Sequence, residues 1–409
     1  MSAGKKVLML ASVASMIDQF NLPNIRLLLE MGYEVHVACN FKEGNTCDAC
    51  RVRKLWTQLR EMGVASHQWD CPRGIWPLTK CGRAYRQLWE LTGVWRFDWM
   101  HCHSPVGGAL ARLAAYPRGI RVIYTAHGFH FYQGAPLKNW LLYYPVEKLL
   151  AYATDVLITV NQEDDLFARK HIRAKKICRI PGVGVDVEKF AQLSSHEDKN
   201  KDPDKEKDRN KDKEKDKEKK KDMDLRRSFH IPEDALLLLS VGELNAGKNH
   251  KIVISALATL MRQDVYYLIC GQGALRKELQ YYASALGVAK RVCMPGYQEN
   301  MPQVYQSADI FVFPSVREGM PVALMEAMAA GLPCVVSDIR GCRELIGKEF
   351  RFSLDHPDGL VKVLERLLDH APLRQACGRR NQKKMEGYDS KAVREQMRTI
   401  YASMQEISL

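Results

Sequence analysis

The sequence predicts an α/β protein of two domains, each a parallel sheet wrapped by helices. Three observations lead there. The chain has 409 residues, more than one ordinary domain. Short β-rich runs alternate with amphipathic helical stretches along most of its length, and strand–helix–strand repetition implies a parallel sheet. Several of those strand runs are almost continuously apolar, as expected when helices cover both faces of the sheet.

In order, the first half offers strands at VLMLASV (7–13), YEVHVAC (33–39), ASHQW (65–69), DWMHCH (98–103), VIYTAH (122–127), DVLITV (155–160) and KICRIP (176–181). Amphipathic stretches such as NIRLLLEMG lie between most of them, with Gly32 placed to end a helix. Residues 195–224 then break the pattern: Lys alternates with Asp and Glu and almost nothing is apolar. Such a run cannot bury enough surface to offset its ordering entropy and is expected to be disordered. Alternation resumes with ALLLLSVGE (235–243), DVYYLICG (264–271), RVCMPG (291–296), DIFVFPS (309–315) and CVVSD (334–338). From about residue 357 the chain reads as helical. The expected organisation is a Rossmann-like domain over 1–190 and a charged linker over 191–227. A second Rossmann-like domain over 228–380 follows, then a helical segment over 381–409 that packs back on the first domain. Ligands of open sheets bind beyond the carboxyl ends of the strands, so the expected site is a cleft where the two domains face each other.

Charge is uneven. Residues 1–190 carry 25 Lys+Arg and 16 Asp+Glu, residues 191–227 carry 14 and 12, and residues 228–409 carry 22 and 20. The basic excess belongs to the first half, which is expected to meet an anionic partner. The stretch 73–97 interleaves Arg73, Lys80, Arg83, Arg86 and Arg96 with Trp76, Tyr85, Trp89 and Trp95. That mixture suits an anionic membrane surface, and equally an ordinary helix packing its tryptophans inward. A nucleic-acid role is not expected: the charged run nearly cancels. The twelve cysteines are scattered, no signal-peptide pattern precedes Val7, and no apolar run reaches the roughly 20 residues needed to span a bilayer. A cytoplasmic protein, peripheral at the inner face of the plasma membrane, is expected. Cys47 and Cys50 form a CxxC without a second Cys or His pair at zinc spacing, so no zinc site is expected there.

The chemistry concentrates in EGMPVALMEAMAAG (318–331). Glu318 follows a strand; Gly319 permits close ligand approach; Pro321 suits a first helical turn; Gly331 stops the helix. The amides of Gly319, Met320 and Val322 would form an anion-attracting helix N-terminus. Glu326 comes eight residues after Glu318, nearly the same helical face at about 100° per residue. Two carboxylates binding hydroxyl groups, with amides between them for phosphates, describe a nucleotide-sugar site. In SVGELNAGKNH (240–250), a strand ends at Val241-Gly242 and Lys248 opens the next helix, a plausible phosphate clamp. GQG (271–273) repeats the theme.

With these motifs, and with IPGVGVDVEKF (180–190) and TAHGF (125–129), the chain resembles the retaining glycosyltransferase family four, which has the GT-B fold. Its start and VGEL resemble bacterial transferases building capsular, exopolysaccharide or other lipid-linked glycans. The resemblance implies transfer from a nucleotide-sugar, a UDP-sugar here, to a glycan or lipid-linked glycan acceptor. It implies that Glu318 holds donor-sugar hydroxyls, Glu326 the ribose hydroxyls, Lys248 the diphosphate, and Met320 and Val322 amides the sugar or phosphate. His127 would face the reacting sugar, and Gly296 and Tyr297 would lie near the base. Glu243 stands where the family often has a second cationic clamp, and Pro321 where glycine is frequent. The Asp-x-Asp matches, Asp202-Pro203-Asp204 and Asp222-Met223-Asp224, fall in the charged run, so neither metal nor other cofactor is expected. A nucleotide-sugar epimerase of similar fold and a catalytically silent nucleotide-sugar-binding protein are the alternatives.

Overall fold

The computed structural model describes residues 5–191 and 225–406. The charged run 195–224, on which the expectation of disorder falls, and both Asp-x-Asp matches lie outside the described residues. The chain divides into two compact units, Met1–Val183 with Lys391–Leu409, and Gly184–Ser390.

The first unit is built on a seven-stranded parallel sheet. Its strands are β1 (Lys6–Val13), β2 (Glu34–Asn40), β3 (Ala65–Gln68), β4 (Trp99–His103), β5 (Arg121–Ala126), β6 (Val156–Thr159) and β7 (Lys176–Arg179), in the order β3-β2-β1-β4-β5-β6-β7. Past Lys6, the central strands β1 and β4 are buried throughout because helices cover both faces. Between strands, the apolar face of Leu22–Glu30 packs inward through Ile25, Leu27 and Leu28. That helix stops at Gly32, whose φ of 82° lies in the left-handed region that glycine enters without a Cβ penalty. Order reverses between β1 and β4, and there Ser12 and Ser104 bring their hydroxyls to 2.6 Å. Beneath the sheet, Arg112 on the helix Pro105–Ala115 and Glu147 on Leu137–Leu150 form a buried ion pair of 2.8 Å. The Tyr124 hydroxyl donates to the same carboxylate.

The last helix, Ser390–Glu406, belongs from Lys391 onward to this unit. Tyr401 stacks on Trp99 with ring centroids 5.3 Å apart, and its hydroxyl bonds His101 Nδ1 at 3.0 Å. Arg394 pairs with Glu30.

The second unit holds a six-stranded parallel sheet of β8 (Leu236–Val241), β9 (Val265–Cys270), β10 (Val292–Gly296), β11 (Ile310–Phe313), β12 (Cys334–Ser337) and β13 (Arg351–Phe352), ordered β10-β9-β8-β11-β12-β13. This is the doubly wound arrangement, reversing between β8 and β11. Close approach of neighbouring loops is built on glycine. A Cβ on Gly271, just past β9, would lie 1.8 Å from the Gly242 carbonyl oxygen. The short helix Val187–Ala191 packs on Val322–Ala329, and Phe190 meets Tyr305 edge-on at 5.7 Å. Sequence reading places domain boundaries at 190 and 380. The chain instead divides at 183 and 390, because residues 184–191 pack on the second core and the helix Ala371–Met385 runs through position 380.

Every run read as a strand forms one, with ends shifted by one or two residues. The added strand is β13, two residues long. Both units are therefore Rossmann-like parallel α/β domains.

Candidate active site

Ligands of doubly wound sheets sit beyond the strand carboxyl ends, where the order reverses. In the second unit that point lies between β8 and β11, and the chain leaving each strand there carries one of the two strongest sequence candidates. After β8, the loop 242–249 leads to the helix His250–Thr259. Asn245 fixes the loop by accepting the Lys248 amide on its side chain at 3.0 Å. The Lys248 stem lies across Gly242: a Cβ there would stand 3.1 Å from Lys248 Cε. Gly242 thus makes room for the lysine. After β11, Val316 donates its amide to the Gly247 carbonyl at 2.8 Å, which ties the two loops together.

Lys248 Nζ donates to Glu318 Oε1 at 2.6 Å, with the two side chains 24% and 21% exposed. The ammonium also lies 5.1 Å from the centre of the Phe313 ring. Glu318 and Gly319 rest against Gly341, where a Cβ would come within 2.8 Å of the Gly319 oxygen. Gly341 was not singled out in the sequence, since nothing local marks the approach of two distant loops. Next to the lysine, burial lowers His250 to about 4, so it adds no charge at neutral pH.

The helix after Glu318 runs Val322–Ala329 with Pro321 as its cap residue, one position earlier than a first-turn proline. Its first-turn amides have no acceptor within the helix. Gly331, with φ of 80°, ends it, and Leu332 donates back to the Ala327 carbonyl. Glu318 therefore lies before the helix, in non-helical chain. Helical periodicity does not extend across Gly319–Pro321, so Glu318 and Glu326 do not share a helical face as their spacing predicts. Glu326 is half-buried and has a partner absent from the sequence reading: Tyr305 on Met301–Gln306, whose hydroxyl stands 2.8 Å from Glu326 Oε2. Burial raises the Glu326 carboxyl above its ordinary range, against the Tyr305 bond and the Lys189 ammonium, which both lower it. Gly296 closes β10 and accepts the Gly271 amide at 2.9 Å; Tyr297 beyond it is exposed.

In the first unit His127 follows β5, and His103 ends the neighbouring β4. His103 Nδ1 and His127 Nε2 are 3.0 Å apart. On its other side His103 Nε2 faces the Met9 sulfur at 3.2 Å. Burial lowers His127 to about 4 and His101 to about 3, and carries His103 well below the usual range, so all three rings are neutral at pH 7. A thioether can only accept a hydrogen bond. His103 therefore carries its proton on Nε2, its Nδ1 accepts, and His127 is the Nε2–H donor. The Nδ1 lone pair of His127 is left to accept from a hydroxyl.

Of the basic–aromatic stretch 73–97, Trp76 is 72% exposed, but Trp89 lies under the Arg118 guanidinium at 3.1 Å and Trp95 packs edge-on against His36. Two of its three tryptophans are thus engaged by the protein. Among the described residues, no three or more His, Cys, Asp or Glu are grouped to hold a metal ion, and no helix is long and apolar enough to cross a membrane.

Comparison with known proteins agrees with this geometry. Residues 23–182 match the family "Glycosyl transferase 4-like domain", and residues 221–384 match "Glycosyl transferases group 1". EpsD of Bacillus subtilis (strain 168), named as a glycosyltransferase, is 34% identical over 98% of this chain and 97% of its own length. An Escherichia coli enzyme named UDP-Gal:alpha-D-GlcNAc-diphosphoundecaprenol alpha-1,3-galactosyltransferase is 29% identical over 71% of this chain and 72% of its own. Among solved structures, HepE of Anabaena in complex with UDP and glucose superposes with a TM-score of 0.72 at 16% identity, covering 98% of this chain and 100% of that one. WaaG, a glycosyltransferase of lipopolysaccharide biosynthesis, gives 0.68 at 18%, covering 96% and 99%. With two Rossmann-like domains, each matched by its own half of the family, and a relative aligned nearly end to end, the chain belongs to glycosyltransferase family four and is a glycosyltransferase of the GT-B fold.

Proposed function

We propose that the chain moves a sugar from a UDP-sugar to a lipid-linked glycan, with retention at the anomeric carbon, in the synthesis of a surface polysaccharide. The observation that carries this reading is the Lys248–Glu318 pair at the reversal point of the second sheet. It sets a cation and a hydroxyl acceptor side by side, next to the helix N-terminus at Val322. Relatives named for transfer to diphosphoundecaprenol-linked sugars support the acceptor class, and solved relatives holding UDP and UDP-glucose support the donor.

In this reading the acceptor hydroxyl attacks the anomeric carbon as the bond to the diphosphate breaks, on the same face. The electron pair of that bond leaves with UDP, and a diphosphate oxygen takes the acceptor's proton. Lys248 and the Met320 and Val322 amides meet the growing negative charge where it develops. Glu318 holds donor-sugar hydroxyls, and Gly319 lets the sugar approach the backbone. Glu326, steadied by Tyr305, accepts from the ribose hydroxyls. Gly296 and Tyr297 flank the base, and His127 accepts from a hydroxyl of the reacting sugar at Nδ1. The reaction needs no divalent metal. Attachment is peripheral, at the inner face of the plasma membrane, through the exposed part of 73–97: Trp76, Leu78 and Val94 beside Arg83, Arg86 and Arg96. A panel of nucleotide-sugars screened for hydrolysis tests the donor. UDP-sugars are expected to be turned over, and selective turnover of another base would reject the assignment.

A further inference from the structure

We propose that a basic pocket at the edge of the first sheet binds the diphosphate of the lipid-linked acceptor. This rests on the acceptor class above and adds where that acceptor is held. The pocket is a cavity of about 420 Å³. It lies where the chain leaves β2 at Asn40 and β3 at Gln68, so it opens at the carboxyl ends of the strands, to the side of the reversal point between β1 and β4. Four cations line it, Lys42, Arg73, Lys80 and Arg83, against two carboxylates, Glu43 and Asp70.

The carboxylates are largely spoken for. Glu43 pairs with Lys80 at 3.3 Å in solvent. Asp70 is gripped by Gln68 at 2.7 Å and Gln87 at 2.9 Å; the Gln68 bond, the Gln87 bond and the nearby Lys42 and Arg83 charges hold its carboxyl low despite partial burial. Among the described residues the side chains of Lys42, Arg73 and Arg83 make no hydrogen bond or ion pair, so three cations converge with their donors unspent. The frame under them is tied by hydrogen bonds. Asn40 Oδ1 takes the amides of Lys42 and Glu43 and the Gln68 side chain. The Asp70 amide is bonded to Gln87 on the helix Leu78–Val94. Two anionic groups joined by one bridging oxygen suit such a cluster, because arginine binds phosphate oxygens in a fork.

Two further features select a lipid-borne diphosphate. Trp76 and Pro77 line the pocket beside the cations, and Leu78 comes next in the chain; Trp76 and Leu78 are 72% and 56% exposed, so apolar surface borders that lip of the pocket. A polyprenyl chain leaving the diphosphate would run over that lip. The second feature is reach. From β2 to β5, which delivers His127, the sheet crosses β1 and β4, three strand spacings or roughly 14 Å. A diphosphate held at β2 therefore leaves room for sugar between it and a hydroxyl reacting near His127. The acceptor is thus a polyprenyl diphosphate that already carries a sugar, not a bare polyprenyl phosphate.

The test uses the full chain in saturating UDP, so that the donor site is filled. Phosphatidylcholine vesicles are doped with undecaprenyl diphosphate, or with phosphatidylglycerol at matched charge, and retention is measured with and without inorganic pyrophosphate. Wild type is expected to favour the diphosphate-doped vesicles and to be displaced by pyrophosphate. Arg73→Ala with Arg83→Ala should lose roughly thirtyfold in that affinity, about fivefold per cation, with UDP binding unchanged. Arg73→Lys with Arg83→Lys should keep most of it, which guards against a folding defect. Equal retention on both kinds of vesicle, no competition by pyrophosphate, or an unchanged Ala variant would each overturn the proposal. UDP calorimetry on the same samples separates this from the donor reading: a protein that binds UDP but ignores the diphosphate fails only here.

Discussion

Replacing Lys248 by alanine and Glu318 by glutamine should move UDP affinity in different directions, although the two residues touch. The ammonium and carboxylate are 2.6 Å apart and each about three-quarters covered. At an effective dielectric of 20 their attraction is about 6 kcal/mol before desolvation. The net value is far smaller, because both charges give up water and both keep some. A charge-assisted hydrogen bond nets about 1.5–3 kcal/mol. A diphosphate arriving at Lys248 competes with Glu318 for the same donor. Lys248→Ala removes the clamp and should weaken UDP by that amount, roughly 10- to 150-fold. Glu318→Gln removes the competitor's charge while keeping its shape. UDP should then bind as well as to wild type or better, while transfer collapses because the sugar is no longer held. Calorimetry with UDP on the three proteins, with product formation beside it, reads both effects. Equal loss of UDP affinity in the two variants would refute this division of labour.

Four further outcomes are expected. Histidine-selective ¹⁵N NMR should show His127 neutral with its proton on Nε2. His103→Phe should abolish that tautomer and lower kcat, by about 1–3 kcal/mol for a buried donor left unmet, with His103→Gln recovering part; a wild-type His127 protonated on Nδ1 would contradict the network. Glu326 binds its proton more tightly folded than unfolded, so its contribution to stability falls as pH rises from about 4.5, its ordinary value, through the raised folded value. Glu326→Gln should flatten that slope in thermal melts, and an unchanged slope would mean the carboxyl is not perturbed. Tyr401→Ala, which removes the ring on Trp99, should cost about 3–5 kcal/mol in denaturant unfolding, and less than about 1 would mean the last helix contributes little. Transfer should survive exhaustive chelation; a tenfold or greater loss restored by a divalent cation would require a metal.

The fold was legible because its evidence is local. Each strand of a covered parallel sheet is an apolar run, and each helix between strands carries a stripe, so type and order can be read residue by residue. β13 escaped because two residues, Arg351 and Phe352, carry no period. The candidate site was legible where chain grammar marks it. Gly319 and Pro321 announce a helix start after a strand, and Gly242 followed by Lys248 announces another. What the grammar cannot supply is partnership. Lys248 and Glu318 stand 70 residues apart and meet because β8 and β11 are neighbours in a sheet whose order reverses there.

The same holds for His103 and His127. Parallel register sets His103 opposite Thr125, two residues before His127, and the pair closes across the ends of adjacent strands. Tyr305 reads as one more core aromatic until Glu326 is brought to it. Trp89 and Trp95 read as membrane candidates until Arg118 and His36 are brought to them. In each case the sequence names the chemical group and the topology names its neighbour. A half-buried carboxylate means one thing beside a tyrosine hydroxyl and another beside an ammonium. A residue's role here is therefore a property of the pair, and pairs across a parallel sheet are set by strand order, which strand-by-strand reading does not contain.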